Sequence, residues 1–423
     1  MTLKTGNNYR MNNKLLNTLL ILFIFSCKNL LFAQVSPFAF EDYTFVDKQF
    51  NKIDIYGSDT KYKNLYSKME KMLLSGEGNI NIVHFGGSHI QADIWSGRTR
   101  NQLQELMPGS SGARGFLFPF KMGKTNNPYH YLIDYNGSWT THRNVEKNKD
   151  GLLGVSGISV TTEDTLSSIK IYFREGQPTS YYHNRVKIFH HLTDSSYHII
   201  PINAGNYKEF NYPLKGYTEF IFDQKKDTLE LEIRKTGESQ KYFTLFGFSL
   251  ENDEPGFTYH SIGVNGASVP SYNRCSLLPT HLAAIKPDLI IFSIGINDIY
   301  DSDFTAKRYL QNYDTLLLNI KAAWPNTAIL FTTNTDSYYK KKYANEKSLE
   351  AREVMIKLAE KHGAGVWDML NVMGGVGSIK NWERQGMAKR DLIHLTPDGY
   401  KIMGDLMFNA ILNSYIKYSI GNP

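Results

Sequence analysis

The chain has 423 residues, with 47 Lys and Arg against 41 Asp and Glu, and is 41% apolar and 13% aromatic. That length exceeds a usual single core and implies about two domains. The composition is that of a folded globular protein, and the 27 Tyr and 24 Phe favour a sizeable β component. Four of the basic residues and none of the acids fall in residues 1–33, leaving 43 against 41 in the remainder, which is no nucleic-acid footprint.

Residues 1–33 read as a targeting segment. Lys4, Arg10 and Lys14 precede "LLNTLLILFIFS", an apolar run too short to span a bilayer comfortably, and "LFAQ" offers cleavage after Ala33. A soluble exported protein, periplasmic or extracellular, is the expectation. "IFSC" loosely resembles a lipobox, so a membrane association is expected only if Cys27 is lipidated. Cleavage leaves Cys275 alone, and no intramolecular disulfide can form.

Residues 34–75 are a lead-in whose "YKNLYSKMEKMLL" predicts a helix. "INIVHF" predicts a strand and Ile94–Met107 a helix, within a first segment of the strand-and-helix domain at 76–118. Residues 119–254 have another character. Alternation at Ile169, Ile171 and Phe173, and at Leu229, Leu231 and Ile233, predicts short antiparallel strands of a sandwich. From 255 to 418 strand and helix alternate again: "YHSIGV", a helix near 276–285, "DLIIFSIG", a helix near 304–323, "AILFTT", a helix near 345–362 and "AGVWDM". Thr396 and Pro397 open a last helix, and 419–423 are a tail. The fold expectation is α/β, a parallel sheet covered on both faces and interrupted by an inserted β-sandwich domain.

In open α/β sheets functional groups gather at the carboxyl ends of strands, and four predicted ends here carry unusual residues. Ser88 follows Gly86 and Gly87 in "NIVHFGGSHIQADIW", where glycines permit a sharp strand-to-helix turn. A capped Gly-rich turn would explain it as well. Gly266 in "GVNGAS" offers an unhindered backbone N–H or merely a turn. Asn297 in "SIGIND" is a neutral donor able to reach an oxyanion, or, with Asp298, a helix cap. Asp391 and His394 in "DLIHLTPDGY" are spaced so that the carboxylate reaches one imidazole nitrogen while the other faces the site. They could also be a metal pair, but no further ligands follow at usable spacing.

Together the four blocks "FGGSH", "GVNGAS", "SIGIND" and "DLIHLTPDGY" resemble those of the SGNH (GDSL-type) hydrolase superfamily, with Gly87 where the family usually has Asp. The resemblance implies a flavodoxin-like three-layer hydrolase domain and a serine esterase. Its catalytic residues would be Ser88, Asp391 and His394, and its oxyanion hole Ser88, Gly266 and Asn297, with no metal and no organic cofactor. The inserted sandwich, "SHIQAD" and "GFSLENDEPGFTYHSIGVNGAS" look like the peptidoglycan O-acetylesterases, whose insert resembles a carbohydrate-binding domain. The implied substrate is an acetylated glycan, peptidoglycan or another polysaccharide, and a monomer is expected. Two further functions share these residues: a glycan O-acetyltransferase, and a non-catalytic glycan-binding protein.

Other residues carry plainer expectations. His89 is expected to hydrogen-bond structurally. His183, His190, His191 and His198 fall in strands and turns of the insert. The aromatics of "YHYLIDYNGSW" are expected to pack, although they could stack on sugars. "YYKKKYANEK" is expected to be a solvated helix start.

Overall fold

A computed structural model describes residues 42–107, 112–147, 150–178 and 181–421. Residues 1–33, which include Cys27 and on which the expectation of a targeting segment rests, lie outside the described residues. Residues from Thr44 onward form one compact unit.

Among the described residues, one sheet contains five parallel strands: β1 (Asn79–Gly86), β2 (Gly256–Gly263), β3 (Leu289–Ser293), β4 (Ala328–Thr332) and β5 (Gly365–Trp367). Their spatial order is β2-β1-β3-β4-β5, the flavodoxin-like arrangement, and Ile53–Ile55 adds an antiparallel edge beside β5. β3 and β4 are buried almost throughout, as continuous apolar runs must be when helices cover both faces. β1 sits between β2 and β3, in register from Asn79 opposite Gly256 to Gly86 opposite Gly263. Three strand ends therefore open side by side.

The stretch after the first helices forms two antiparallel sheets. Leu166–Phe173 and Thr228–Arg234 pair within the smaller one, and their alternate residues Ile169, Ile171, Leu229, Leu231 and Ile233 are buried. His183–His190 and Phe243–Glu251 lie at the centre of the larger one. The larger sheet also takes in Gly115–Leu117, which pairs with Phe248–Leu250, so pairing with the insert begins before residue 119. Exit and return adjoin: Ala113 N–H donates to Phe257 O, and the Gln104 amide donates to both Ala113 O and Phe257 O.

The two parts share one apolar core rather than touching through a linker. Phe189 and Phe246 of the insert pack on the ring of His281, which lies on the helix Leu278–Ile285 of the parallel-sheet domain, and Val155 N–H donates to its Nδ1. Excising 119–254 would uncover this core, so the insert is best probed by point substitutions.

Two expectations change. Tyr338–Tyr339 and Tyr343–Ala344 form a two-stranded hairpin turned by Lys340 and Lys341 at positive φ, and the helix starts only at Lys347. The Asp391–His394 segment is not a strand end. Two short helices, Met369–Val372 and Ile379–Arg384, separate it from β5.

Burial leaves many histidines neutral. It pushes His84, His89, His190, His260 and His281 down to about 3 and His183 to about 4. Because these folded values lie below the unfolded value near 6.5, the unfolded chain binds more protons across that window. Stability is therefore full above 6.5 and lost as pH falls toward 4, by up to about 1.4 kcal/mol per group per pH unit. The urea midpoint should drop clearly between pH 7 and pH 5; a constant midpoint would contradict the buried neutral histidines.

Candidate active site

β1 ends at Gly86 and the chain turns directly into the short helix Ser88–Gln91. The turn is tight because Ile90 folds back over the strand end: a β-carbon on Gly86 would stand 2.2 Å from Ile90 Cγ1. Gly87 lies against Asn297, where a β-carbon would stand 3.3 Å from its Nδ2. A side chain in place of this glycine would press on the amide, so the Gly-Gly-Ser variant leaves Asn297 unhindered.

The Ser88 hydroxyl lies 2.8 Å from His394 Nε2, and His394 Nδ1 lies 2.9 Å from Asp391 Oδ2. The carboxylate's other oxygen accepts the backbone N–H groups of Ile393 and His394, both at 2.9 Å. Burial raises the Asp391 carboxyl, but these backbone donors and the imidazole outweigh it and hold it below its ordinary value. An ionised Asp391 only accepts, so Nδ1 carries the proton and Nε2 is the acceptor for Ser88 O–H. The loop closing this arrangement is pinned by Lys389 N–H to His394 O, and by Tyr338 N–H to Leu392 O with Leu392 at φ 57°. Both side chains remain about one-third exposed (33% and 34%), so a substrate can reach them.

Opposite them, Gly266 sits exposed at φ +82° in the loop after β2. Among the described residues, no acceptor meets the N–H of Ser88 or of Gly266. Asn297 follows β3, where its Nδ2 donates 2.9 Å to Ala267 O and keeps a second hydrogen. Asn297 is therefore tied to the Gly266 loop rather than capping its own helix. Asp298 accepts Val269 N–H at 3.1 Å, joining the same two loops, and burial pushes its carboxyl up to about 7. Ser88, His394 and Asp391 are thus joined by hydrogen bonds, while Asn297 and the loop that carries Gly266 lie against the adjoining Gly87.

His89 is buried. Its Nδ1 meets Tyr400 Oη at 2.8 Å, and its ring lies 5.2 Å from that of His394. His183 and His190 are buried in the insert, while adjacent His191 stacks on Tyr242. Among the described residues no group of three or more His, Cys, Asp or Glu is placed to hold a metal ion, and no helix is long and apolar enough to cross a membrane.

Three buried polar residues carry parts of the site that the motifs alone do not assign. His84 lies beneath it, bonded through Nδ1 to Tyr259 Oη at 2.8 Å and through Nε2 to Ser293 Oγ at 2.6 Å, linking β2, β1 and β3. Gln91 is 1% exposed. Its Nε2 donates to Thr125 Oγ1 (3.1 Å) and Asn126 O (2.8 Å), while its Oε1 accepts Asn265 N–H (2.7 Å). It thus clamps an insert loop to the residue just before Gly266. Asp93 receives Arg114 (2.7 Å), Arg100 (3.1 Å) and His130 (3.2 Å), all well buried. The available signal was the polarity of "SHIQAD": a helix start that is buried yet polar needs partners.

Residues 237–402 match the GDSL-like Lipase/Acylhydrolase family. The matched stretch contains Gly266, Asn297, Asp391 and His394, and omits Ser88, which the insert displaces toward the amino terminus. A solved peptidoglycan O-acetylesterase is similar over 86% of this chain and 99% of its own, with TM-score 0.68 and 19% identity, a likeness of fold that includes both modules. An acetylxylan esterase from Geobacillus stearothermophilus (TM-score 0.30, 19% identity, 37% and 73% covered) and a lipase/acylhydrolase from Enterococcus faecalis (0.30, 17%, 38% and 77%) overlap a smaller part. No curated protein sequence matches the chain.

Proposed function

Because residues 237–402 carry a GDSL-like acylhydrolase segment on the SGNH fold, we propose that this chain is an exported serine esterase that removes O-acetyl groups from a cell-wall glycan, peptidoglycan foremost. The observation that carries the reading is the continuous hydrogen-bonded series Ser88–His394–Asp391, together with the Ser88 and Gly266 backbone N–H groups, which meet no acceptor among the described residues. Its resemblance in fold to a peptidoglycan O-acetylesterase supports the choice of substrate.

In this reading the Ser88 hydroxyl attacks the acetyl carbonyl as His394 Nε2 takes its proton. Asp391 holds the Nδ1–H tautomer and stabilises the imidazolium. The negative charge on the carbonyl oxygen is met by the N–H groups of Ser88 and Gly266 and the free hydrogen of Asn297 Nδ2, each such donor typically contributing about 10²–10³ in kcat. Collapse expels the sugar oxygen, which takes the proton from His394. Water, deprotonated by the same imidazole, then releases acetate from Ser88.

The test is acetate release from O-acetylated peptidoglycan, acetylxylan and acetylated alginate, with a free saccharide added as competing acceptor. Release of free acetate fastest from peptidoglycan supports the reading. Acetyl transfer to the saccharide would assign a transferase instead, and activity abolished by EDTA and restored by zinc would assign a metal site.

Gln91 gives a further expected result. It touches no reacting atom, so it acts by positioning the Asn265–Gly266 peptide. Gln91→Ala should lower kcat on an aryl acetate about tenfold with KM nearly unchanged, equivalent to about 1.4 kcal/mol of transition-state stabilisation. A rise in KM alone would assign Gln91 to substrate binding.

A further inference from the structure

The insert carries a groove of about 370 Å³ whose lining includes Lys121, Thr125, Tyr129, Asp134, Tyr172 and Arg174. That is room for about one or two sugar rings. Tyr129 is 75% exposed, the most exposed aromatic side chain among the described residues, yet it is not loose. The Arg174 guanidinium lies 4.4 Å from its ring centroid, and Arg174 Nε donates 2.7 Å to Tyr129 O. One ring face is thus covered by a cation and the other is open. Its neighbour Tyr131 is buried in the core and donates to Phe118 O, so packing accounts for Tyr131 and leaves Tyr129 unexplained.

The charge in the groove is weighted to one sign. Its lining carries two cations, Lys121 and Arg174, against one carboxylate, Asp134. Lys121 donates to the Ile133 carbonyl at 3.3 Å and lies 6.0 Å from the Tyr135 ring centroid, with no carboxylate partner among the described residues, and Arg174 spends Nε on a carbonyl while its two terminal nitrogens meet no acceptor among the described residues. The groove also abuts the catalytic machinery: Thr125 Oγ1 accepts from the side-chain amides of Gln91 (3.1 Å) and Asn265 (3.3 Å). Gln91 lies one helical turn from Ser88, and Asn265 adjoins Gly266.

We propose that this groove is a subsite for an acidic sugar chain, with a ring stacked on the open face of Tyr129 and a carboxylate held by Arg174 and Lys121. An aromatic ring immobilised by a guanidinium loses little freedom on binding a sugar face, and a guanidinium can grip a carboxylate through two parallel N–H bonds. The acetyl ester has few atoms with which to bind, so selectivity must come from contacts remote from the reacting carbon. The subsite rests on the esterase reading above and names the class of its substrate: a glycan carrying carboxylates on the sugar or on an attached peptide, as opposed to a neutral one.

The experiment compares Tyr129→Ala and Arg174→Gln with the unsubstituted chain on O-acetylated peptidoglycan fragments, acetylated alginate, neutral acetylxylan and an aryl acetate. Tyr129→Ala should raise KM at least about tenfold on the acidic glycans. Arg174→Gln should do so there and not on acetylxylan, and kcat/KM on the aryl acetate should stay within about twofold for both. A larger effect on peptidoglycan than on alginate places the carboxylate on the peptide side, the reverse on the sugar itself. Unchanged KM on every glycan would overturn the subsite, and so would equal losses on glycan and aryl acetate. If the unsubstituted chain releases no acetate from any glycan, the esterase reading fails on its own. The Ser88→Ala protein is then titrated with unacetylated peptidoglycan fragments and with alginate by calorimetry. Binding to either that Tyr129→Ala and Arg174→Gln each weaken at least tenfold upholds the subsite, and no binding, or binding indifferent to both, overturns it.

Discussion

Ser88→Ala should lose at least about 10⁴-fold of aryl-acetate hydrolysis while the protein keeps its circular dichroism spectrum and thermal midpoint. Among the described residues the Ser88 hydroxyl makes one side-chain hydrogen bond, with His394 Nε2, and that imidazole is one-third exposed. Once the hydroxyl is gone, water can satisfy Nε2, so stability has no reason to change. His394→Ala should fall as far, because without an acceptor at Nε2 the hydroxyl keeps its proton. The double variant should be no worse than either single one, since residues acting as a unit are not additive. Asp391→Asn should preserve the fold and still lose most activity, because an amide can donate to Nδ1 and turn the imidazole to the wrong tautomer. A serine-directed phosphonate should label Ser88 alone. Wild-type rates in a folded Ser88→Ala protein would remove the mechanism outright.

Asp93→Ala should lower stability by about 3–5 kcal/mol, the usual cost of leaving buried charge uncompensated. Against a typical total of about 5–15 kcal/mol this is large enough to impair folding. Arg100 and Arg114 are almost fully buried, and Asp93 stands between them as their shared counter-ion. The two guanidiniums feel this unequally. Despite its burial, Arg100 is raised by Asp93, while burial and the adjacent Arg100 charge lower Arg114. Tyr181 Oη accepts from Arg100 at 2.8 Å, and His130 adds a contact from the insert, so the hub fastens the insert to the segment that carries Ser88. Arg98→Ala is the control: Arg98 is exposed and its partner Asp405 half-buried, and an ion pair open to solvent on one side contributes little. Thermal denaturation should show a shift of about 4–6 °C for Asp93→Ala, as expected from an unfolding entropy of about 2.1 cal/mol/K per residue in a unit this large, and little for Arg98→Ala; equal midpoints would make the hub dispensable. The pH dependence separates this contribution from the histidine effect. Burial raises the Asp93 carboxyl, but its cationic partners and Ser96 Oγ pull it far below the ordinary range. Its contribution is present above the ordinary carboxylate value and disappears only in strong acid, well after the buried histidines have begun to charge.

The alternation of strand and helix, and the change to period-two patterning inside the chain, are local consequences of burial. A strand covered on two faces must be apolar throughout, as β4 is, while one covered on a single face alternates, as Thr228–Arg234 does. Both architectures were therefore legible in the sequence, as were the glycines and polar groups gathered at the ends of β1, β2 and β3. The sequence also carried Asp391 and His394 as a pair, because three residues of loop suffice to bring them into contact. What only the tertiary structure decided rests on contacts between distant positions that leave no periodic trace. The order β2-β1-β3-β4-β5 brings His394 to Ser88 across 306 residues of chain. Gln91 finds Asn265, and Asp93 finds Arg114 and His130, through single buried polar contacts whose partners no spacing announces. The same reason separates Tyr131 from Tyr129. Both are tyrosines in one aromatic stretch, and the sheet that covers the first and leaves the second open comes from elsewhere in the chain.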